Sequence, residues 1–130
     1  MLNVNAQAQW EQSDMIRFAF SDLTDGEGTV AKKIPTGYVI TGGFVTVTQA
    51  FNSATTATLD VGDAADPDRY TSTAVDLKAL GTTALDVTGF QYAAPTDLLL
   101  GFAETGAAAT EGEAFIVLKL IREGKADTNL

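Results

Sequence analysis

Residues 34–61 read IPTGYVITGGFVTVTQAFNSATTATLDV. A turn, Ile34-Pro35-Thr36-Gly37, opens into a long β-branched and aromatic run from Tyr38 to Thr48. After a polar break at Asn52-Ser53 a second run begins at Thr55, in which Ala57, Leu59 and Val61 alternate with Thr56, Thr58 and Asp60. Branching at Cβ restricts χ1 and packs well on a pleated surface, and a period of two is that of a half-buried strand. Gly42-Gly43 interrupts the alternation of the first run, which predicts a bulge or sharp bend there. The two runs are expected to pair as antiparallel strands and form the nucleus of a sheet.

The same reading extends in both directions. Residues 2–11 alternate without a break, with Leu2, Val4, Ala6, Ala8 and Trp10 on one side and Asn3, Asn5, Gln7, Gln9 and Glu11 on the other. They are either a first strand of the chain's own sheet or an extended arm that adds to a neighbouring subunit's sheet edge. Ile16, Phe18 and Phe20 share a face of the next strand, and a loop at 21–28 leads to a short strand ending before Pro35. Further strands are expected at 71–80, 82–90, 97–103 and 114–122. Residues 97–103 and 114–122 are apolar on both faces, which implies burial from two sides. A lone sandwich needs strands with one apolar face, so another chain is expected to cover part of the outer surface. The alternative is that a loop or the amino-terminal strand covers it. No stretch sustains a helical period. About eight or nine short strands at intervals of roughly 8–12 residues make an all-β chain, an antiparallel β-sandwich. The expected division is an arm at 1–14, a sandwich domain at 15–123 and a tail at 124–130.

The chain has 130 residues, no cysteine and no histidine, with 17 acidic against 8 basic residues and a formal charge of −9. One domain of this size buries enough surface to need no staple. Without histidine or cysteine, serine–histidine and cysteine–histidine catalysis are excluded within one chain, as are thiolate metal sites. The negative charge repels phosphate backbones and argues against nucleic-acid binding. No apolar run is long enough for a membrane span, and no signal peptide is visible. Carboxylate pairs such as Asp63 with Asp66, or Glu111 with Glu113, lie in expected loops and make weak candidates for acid–base work. Gly42-Gly43 lacks a P-loop lysine and precedes no helix. Trp10, Tyr38, Tyr70 and Tyr92 could stack on a sugar, though such residues more often anchor a core or an interface. No catalytic residue and no cofactor is expected.

Asp60, Asp63, Asp66 and Asp68 fall within nine residues. Oxygen ligands at such spacing suggest calcium, with Asp63, Asp66 and Asp68 as weak candidates, but the glycine and terminal glutamate of an EF-hand loop are missing. The plainer reading is an acidic, solvated loop whose Asp side chains bond local amides, with the turn fixed by Pro67.

Ile34-Pro35-x-Gly37, the Val/Ile/Thr strand after it, Ala50-Phe51-Asn52, Thr58-Leu59-Asp60-Val61-Gly62-Asp63 and Asp66-x-Asp68-x-Tyr70 resemble a group of small tailed-bacteriophage virion proteins. The closing strand, residues 115–121, is similar to theirs as well. The likeness covers roughly residues 29–122 and leaves the amino-terminal segment outside. It implies a head decoration, or cement, protein with a jelly-roll-like fold. Such proteins sit as homotrimers on the capsid exterior and bridge neighbouring major capsid subunits, with assembly in the host cytoplasm and without enzyme activity or cofactor. On that expectation Leu2, Val4 and Trp10 grip neighbours, and Phe115, Val117 and Ile121 form the subunit interface. The rival is a receptor- or glycan-binding module of a tail or head fibre, built on Tyr70 with Asp66 and Asp68.

Overall fold

A computed structural model describes residues 10–122. Eight strands form two four-stranded antiparallel sheets. They are β1 (Gln12–Ala19), β2 (Gly28–Ile34), β3 (Tyr38–Gln49), β4 (Thr56–Gly62), β5 (Val75–Asp76), β6 (Gly81–Ala84), β7 (Thr96–Thr105) and β8 (Glu113–Arg122). One sheet runs β1-β8-β3-β6 and the other β2-β7-β4-β5. Every connection except β4 to β5 passes from one sheet to the other, the arrangement of a jelly roll.

Between the sheets lies one core. From β8 it takes Ala114, Ile116, Leu118 and Leu120, from β7 Leu98, Leu100 and Phe102, and from β4 Ala57, Leu59 and Val61. Each buried Leu or Ile contributes about 2 kcal/mol of transfer free energy. The alternation expected of residues 56–61 therefore holds as read.

The expected pairing of the two opening runs does not. β3 lies between β8 and β6, whereas β4 lies between β7 and β5 in the opposite sheet. The link between them crosses the end of the sandwich instead of turning back as a hairpin. Phe51 is buried within that link, and its amide donates to the carbonyl of Leu77. Burying Phe51 against Phe102 of the facing sheet, ring centroids 5.9 Å apart, gives the crossover its apolar anchor.

Other expectations are corrected more locally. Gln12, Ser13 and Asp14 pair with Leu120, Lys119 and Leu118, so β1 straddles the boundary expected at residue 14. Phe20 belongs to a short 3-10 helix, Phe20–Asp22, that ends β1. Within 71–80 only Val75–Asp76 is strand, and within 82–90 the strand stops at Ala84. Leu77 and Leu85 still reach the core, but from loops. Residues 2–9 and 123–130 lie outside the described residues, and with them the expected strand or arm and the tail.

The bulge expected at Gly42-Gly43 is present. The register of β3 on β8 slips between Ile40 and Gly42, leaving Thr41 as the extra residue. Gly43 sits at φ 141°, and a Cβ there would fall 2.2 Å from the carbonyl oxygen of Val117. Only glycine allows the two backbones to come this close. The slip has a second effect. Without an extra residue, side chains five apart in a strand point to opposite faces. Here Ile40 and Val45 are both in the core, and Val39 and Phe44 both stand opposite outward-facing residues of β8.

Candidate functional site

β8 turns Phe115, Val117, Lys119 and Ile121 away from the core, and the first two and last of these are half-buried. Their neighbours follow from the pairing. Met15 and Arg17 of β1 stand opposite Val117 and Phe115. Val39 and Phe44 of β3 stand opposite Ile121 and Val117. Phe44 meets Phe115 edge to face, with centroids 6.3 Å apart, and the Arg17 guanidinium lies 5.4 Å from the centre of the Phe115 ring. At the far side Thr46 and Thr82 share a hydroxyl hydrogen bond of 2.8 Å.

The result is an apolar patch of Met15, Phe44, Phe115 and Val117 with Arg17 at its margin, continued beyond the Lys119 side chain by the pair Val39 and Ile121. Met15 is 52 % exposed. A strip of this kind on a sheet's outer face is what an interaction surface requires. The other sheet differs. Its outward residues on β4 and β5 are Thr56, Thr58, Asp60 and Asp76, and on β7 Asp97, Leu99, Gly101 and Ala103. On β2 of that sheet Val30 stands opposite Leu99 and Lys33 opposite Asp97, so its outer face mixes small, polar and charged residues with one apolar pair.

Phe115, Val117 and Ile121, singled out from sequence, are thus brought together on one surface. The burial from two sides expected of β7 and β8 is complete on the inner side only. Val39 and Phe44 were not anticipated together, because the bulge at Thr41 decides which way β3 side chains point, and Met15 of β1 joins them only through its pairing with Val117. Their signal lay in the Gly42-Gly43 interruption, read for its effect on parity. Trp10 precedes β1 and is 96 % exposed, while Leu2 and Val4 lie outside the described residues.

The acidic loop has a different architecture. Gly62 packs directly beneath it, since a Cβ there would meet the carbonyl oxygens of Asp66 and Pro67 at 2.2 and 2.4 Å. Asp63 is only 1 % exposed. Its Oδ1 accepts from the amides of Ala65 and Asp66 at 3.1 and 2.9 Å, and from Arg69 Nη2 at 3.2 Å. Its Oδ2 accepts from Arg69 Nε at 2.7 Å and from the Tyr92 hydroxyl at 2.9 Å. Arg69 in turn lies flat on Phe90, 3.7 Å from the ring centre. Burial alone would raise the Asp63 carboxyl, but Arg69, the Asp66 amide and Tyr92 outweigh it and hold the group below its ordinary value. Asp66 moves the other way, raised chiefly by its hydrogen bond with Asp68.

A cation already occupies the Asp63 carboxylate, namely the Arg69 guanidinium. Among the described residues no three acidic, histidine or cysteine side chains converge as metal ligands would. Asp63 is also unavailable to Asp66 as an acid–base partner, and Glu111 and Glu113 are both exposed beside the start of β8. Tyr70 and Tyr92 are buried with their hydroxyls 2.7 Å apart, so neither ring presents a face to a sugar. Burial pushes both phenols up.

The strand order and the outward apolar strip define a jelly-roll sandwich with one face suited to protein contact. No family model matches the chain, and no curated protein matches it. Solved structures do. The chain is similar to one in the capsid of Ralstonia phage GP4, with a TM-score of 0.65 and 18% identity over 96% of this chain and 92% of that one. It is similar to a chain of the cyanophage Pam1 capsid asymmetric unit, with a TM-score of 0.63 and 18% identity over 92% of each. A chain in the acid-stable capsid of Helicobacter pylori bacteriophage KHP30 aligns with a TM-score of 0.61 and 11% identity over 85% of this chain and 92% of that one. What is shared is the fold, and in each case it is a fold found in a bacteriophage capsid.

Proposed function

We propose that this chain is a structural protein of a bacteriophage virion, a decoration protein that binds the outside of the head as a homotrimer and bridges neighbouring major capsid subunits. The observation that carries the reading is the outward strip of Phe115, Val117 and Ile121 with Met15, Val39 and Phe44, on a jelly roll like those of phage capsid chains. Half-buried apolar groups on a flat sheet are stabilised by contact with another protein surface, and nothing else among the described residues covers them.

The mechanism is mechanical, with neither catalysis nor cofactor. A shell filled with packed DNA is weakest where coat subunits meet. A trimer seated across such a junction adds buried area that must be lost before the shell parts. If it binds the expanded lattice and not its precursor, mass action stabilises the expanded state. In this reading Leu2, Val4 and Trp10 reach neighbouring subunits and the β8 strip faces sister copies.

Purified expanded shells, lacking the protein, provide the test. The full chain is expected to decorate them to a fixed stoichiometry, visible by electron microscopy, and to raise the temperature at which they rupture. A chain without residues 1–11 is expected to stay folded by circular dichroism and to lose occupancy. Full occupancy by the shortened chain rejects the arm, and no occupancy by the full chain rejects decoration. A glycan array probed with the isolated protein is expected to stay silent, since Tyr70 offers no platform.

A further inference from the structure

The chain has three prolines, and only Pro67 follows an acidic residue. Asp66–Pro67 is therefore its one Asp–Pro bond, the weakest kind of peptide linkage in acid. Two properties make it so. The aspartate carboxyl reaches its own carbonyl carbon through a five-membered ring, and the proline nitrogen takes a proton and leaves as a secondary amine.

The fold adds to this bond what an unfolded chain lacks. The carbonyl oxygen of Asp66 accepts two backbone hydrogen bonds, from the amide of Asp63 at 3.0 Å and from that of Arg69 at 3.2 Å. Attack on the carbonyl carbon makes this oxygen an oxyanion, and fixed amides are the donors that stabilise one. Gly62 lets the turn sit flush, since a Cβ there would fall 2.2 Å from the same oxygen. The Asp66 carboxyl is also hydrogen-bonded to that of Asp68. Two neighbouring carboxyls that share one proton supply a nucleophile and an acid together. Arg69 Nη1, 4.0 Å from Asp66 Oδ2, favours the arrangement with the charge on Asp66 and the proton on Asp68. Pro67 is exposed and Asp66 half-buried, so water reaches the bond.

The other titratable groups nearby leave that proton where it is. Asp63 is committed to Arg69, and Tyr70 and Tyr92 keep their own protons throughout the acid range. Glu27 and Asp60 line the cleft beside Pro67 and add negative charge to it.

We propose that Asp66–Pro67 is a self-cleavage site, hydrolysed in mild acid by the folded chain itself. An Asp66 Oδ bonds to its own carbonyl carbon while the Asp63 and Arg69 amides hold the oxyanion. The bond from that carbon to the Pro67 nitrogen then breaks. Its electron pair stays on nitrogen, which takes the proton from Asp68 and becomes a secondary amine. Water opens the cyclic anhydride left on Asp66 to two carboxyl groups and returns a proton to Asp68. One peptide bond and one water are consumed.

The two pieces stay together. β1 to β4 fall before the break and β5 to β8 after it, yet β8 lies between β1 and β3, and β7 between β2 and β4. Both sheets interleave strands of the two pieces. The nicked molecule is expected to elute as one species and to separate only in denaturant.

The test uses the full chain at about pH 4.5, held folded as judged by circular dichroism and sampled by mass spectrometry in denaturant. Fragments 1–66 and 67–130 are expected, at a rate at least about 100-fold above that of the same chain unfolded in urea at the same pH. The rate is expected to fall toward about pH 7, where the pair holds no proton. Asp66→Glu keeps the charge but closes a larger ring, and is expected to stop cleavage. Asp68→Asn, at an exposed position, keeps a hydrogen-bond donor and loses the transferable proton, and is expected to slow it at least about tenfold. An unfolded chain cut as fast as the folded one, or a folded chain that stays intact, would overturn the proposal. Wild-type cleavage by Asp68→Asn would overturn the part given to Asp68. Shell occupancy is independent of all these results.

Discussion

Asp63 is the residue on which the acidic loop turns. It is a buried carboxylate whose two oxygens receive two backbone amides, a phenol and two guanidinium nitrogens. Replacing it with asparagine keeps the shape and strands the Arg69 charge, which is only 13 % exposed as a side chain. Removing one partner of a buried ion pair costs about 3 kcal/mol, so Asp63→Asn is expected to lower the urea midpoint and the melting temperature by several degrees. The pH dependence follows from the direction of the shift. A carboxyl held below its unfolded value adds stability that is present above that value and is lost as pH falls through the lower, folded one. Asp66, raised by Asp68, acts oppositely, favouring the folded state at lower pH and losing that contribution as pH rises through its raised value. The buried group has more partners, so wild-type melting temperature is expected to fall steeply below about pH 4, and Asp63→Asn to flatten that fall. A scan of melting temperature from pH 7 to pH 2.5 checks both. The bonds from the local amides of Ala65 and Asp66 are those the sequence led one to expect, but the loop was read as solvated, and the burial of Asp63 was not legible in the spacing of the four aspartates. An exposed Asp and a buried one look alike in sequence, and what buries Asp63 is Arg69 six residues on and Tyr92 far beyond.

At the scale of elements, the bulge in β3 decides more than the local bend. It carries the inward parity of Ile40 over to Val45, and so puts Val39 and Phe44 together on the outside. The two glycines at the bulge have unequal roles. A Cβ at Gly42 finds only the flexible Lys119 side chain, at 3.6 Å, while one at Gly43 collides with the β8 backbone. Gly43→Ala is therefore expected to cost about 3 kcal/mol in chemical denaturation, and Gly42→Ala under about 1 kcal/mol. Equal losses at the two positions would mean that glycine's entropy, and not the close approach, sets the effect. The break in alternation was readable from Gly42-Gly43. The side it sent Phe44 to was not, because that depends on how many residues the bulge inserts. Residues 71–90 misled for a related reason. Their apolar spacing is real, but Leu77 and Leu85 reach the core from irregular backbone, which satisfies burial without a ladder.

For the whole molecule, the β-rich class and the apolar β8 were plain in composition and pattern, but sheet membership was not. Alternation says that a strand has an inside and gives no indication of which strand lies beside it. Residues 34–61 look like a hairpin, and only the competing partners β8 and β7, both distant in the chain, draw their two halves into opposite layers. That wiring has a consequence for the cell that makes the chain. β8, the last strand among the described residues, is the middle plank between β1 and β3. A ribosome therefore releases the first and third strands long before the piece that joins them, and until Arg122 clears the exit tunnel that sheet exists only as separated halves. A chain halted short of β8 leaves Phe18, Ile40 and Val45 without Ala114, Leu120 and Ile116 beside them and open to any passing surface.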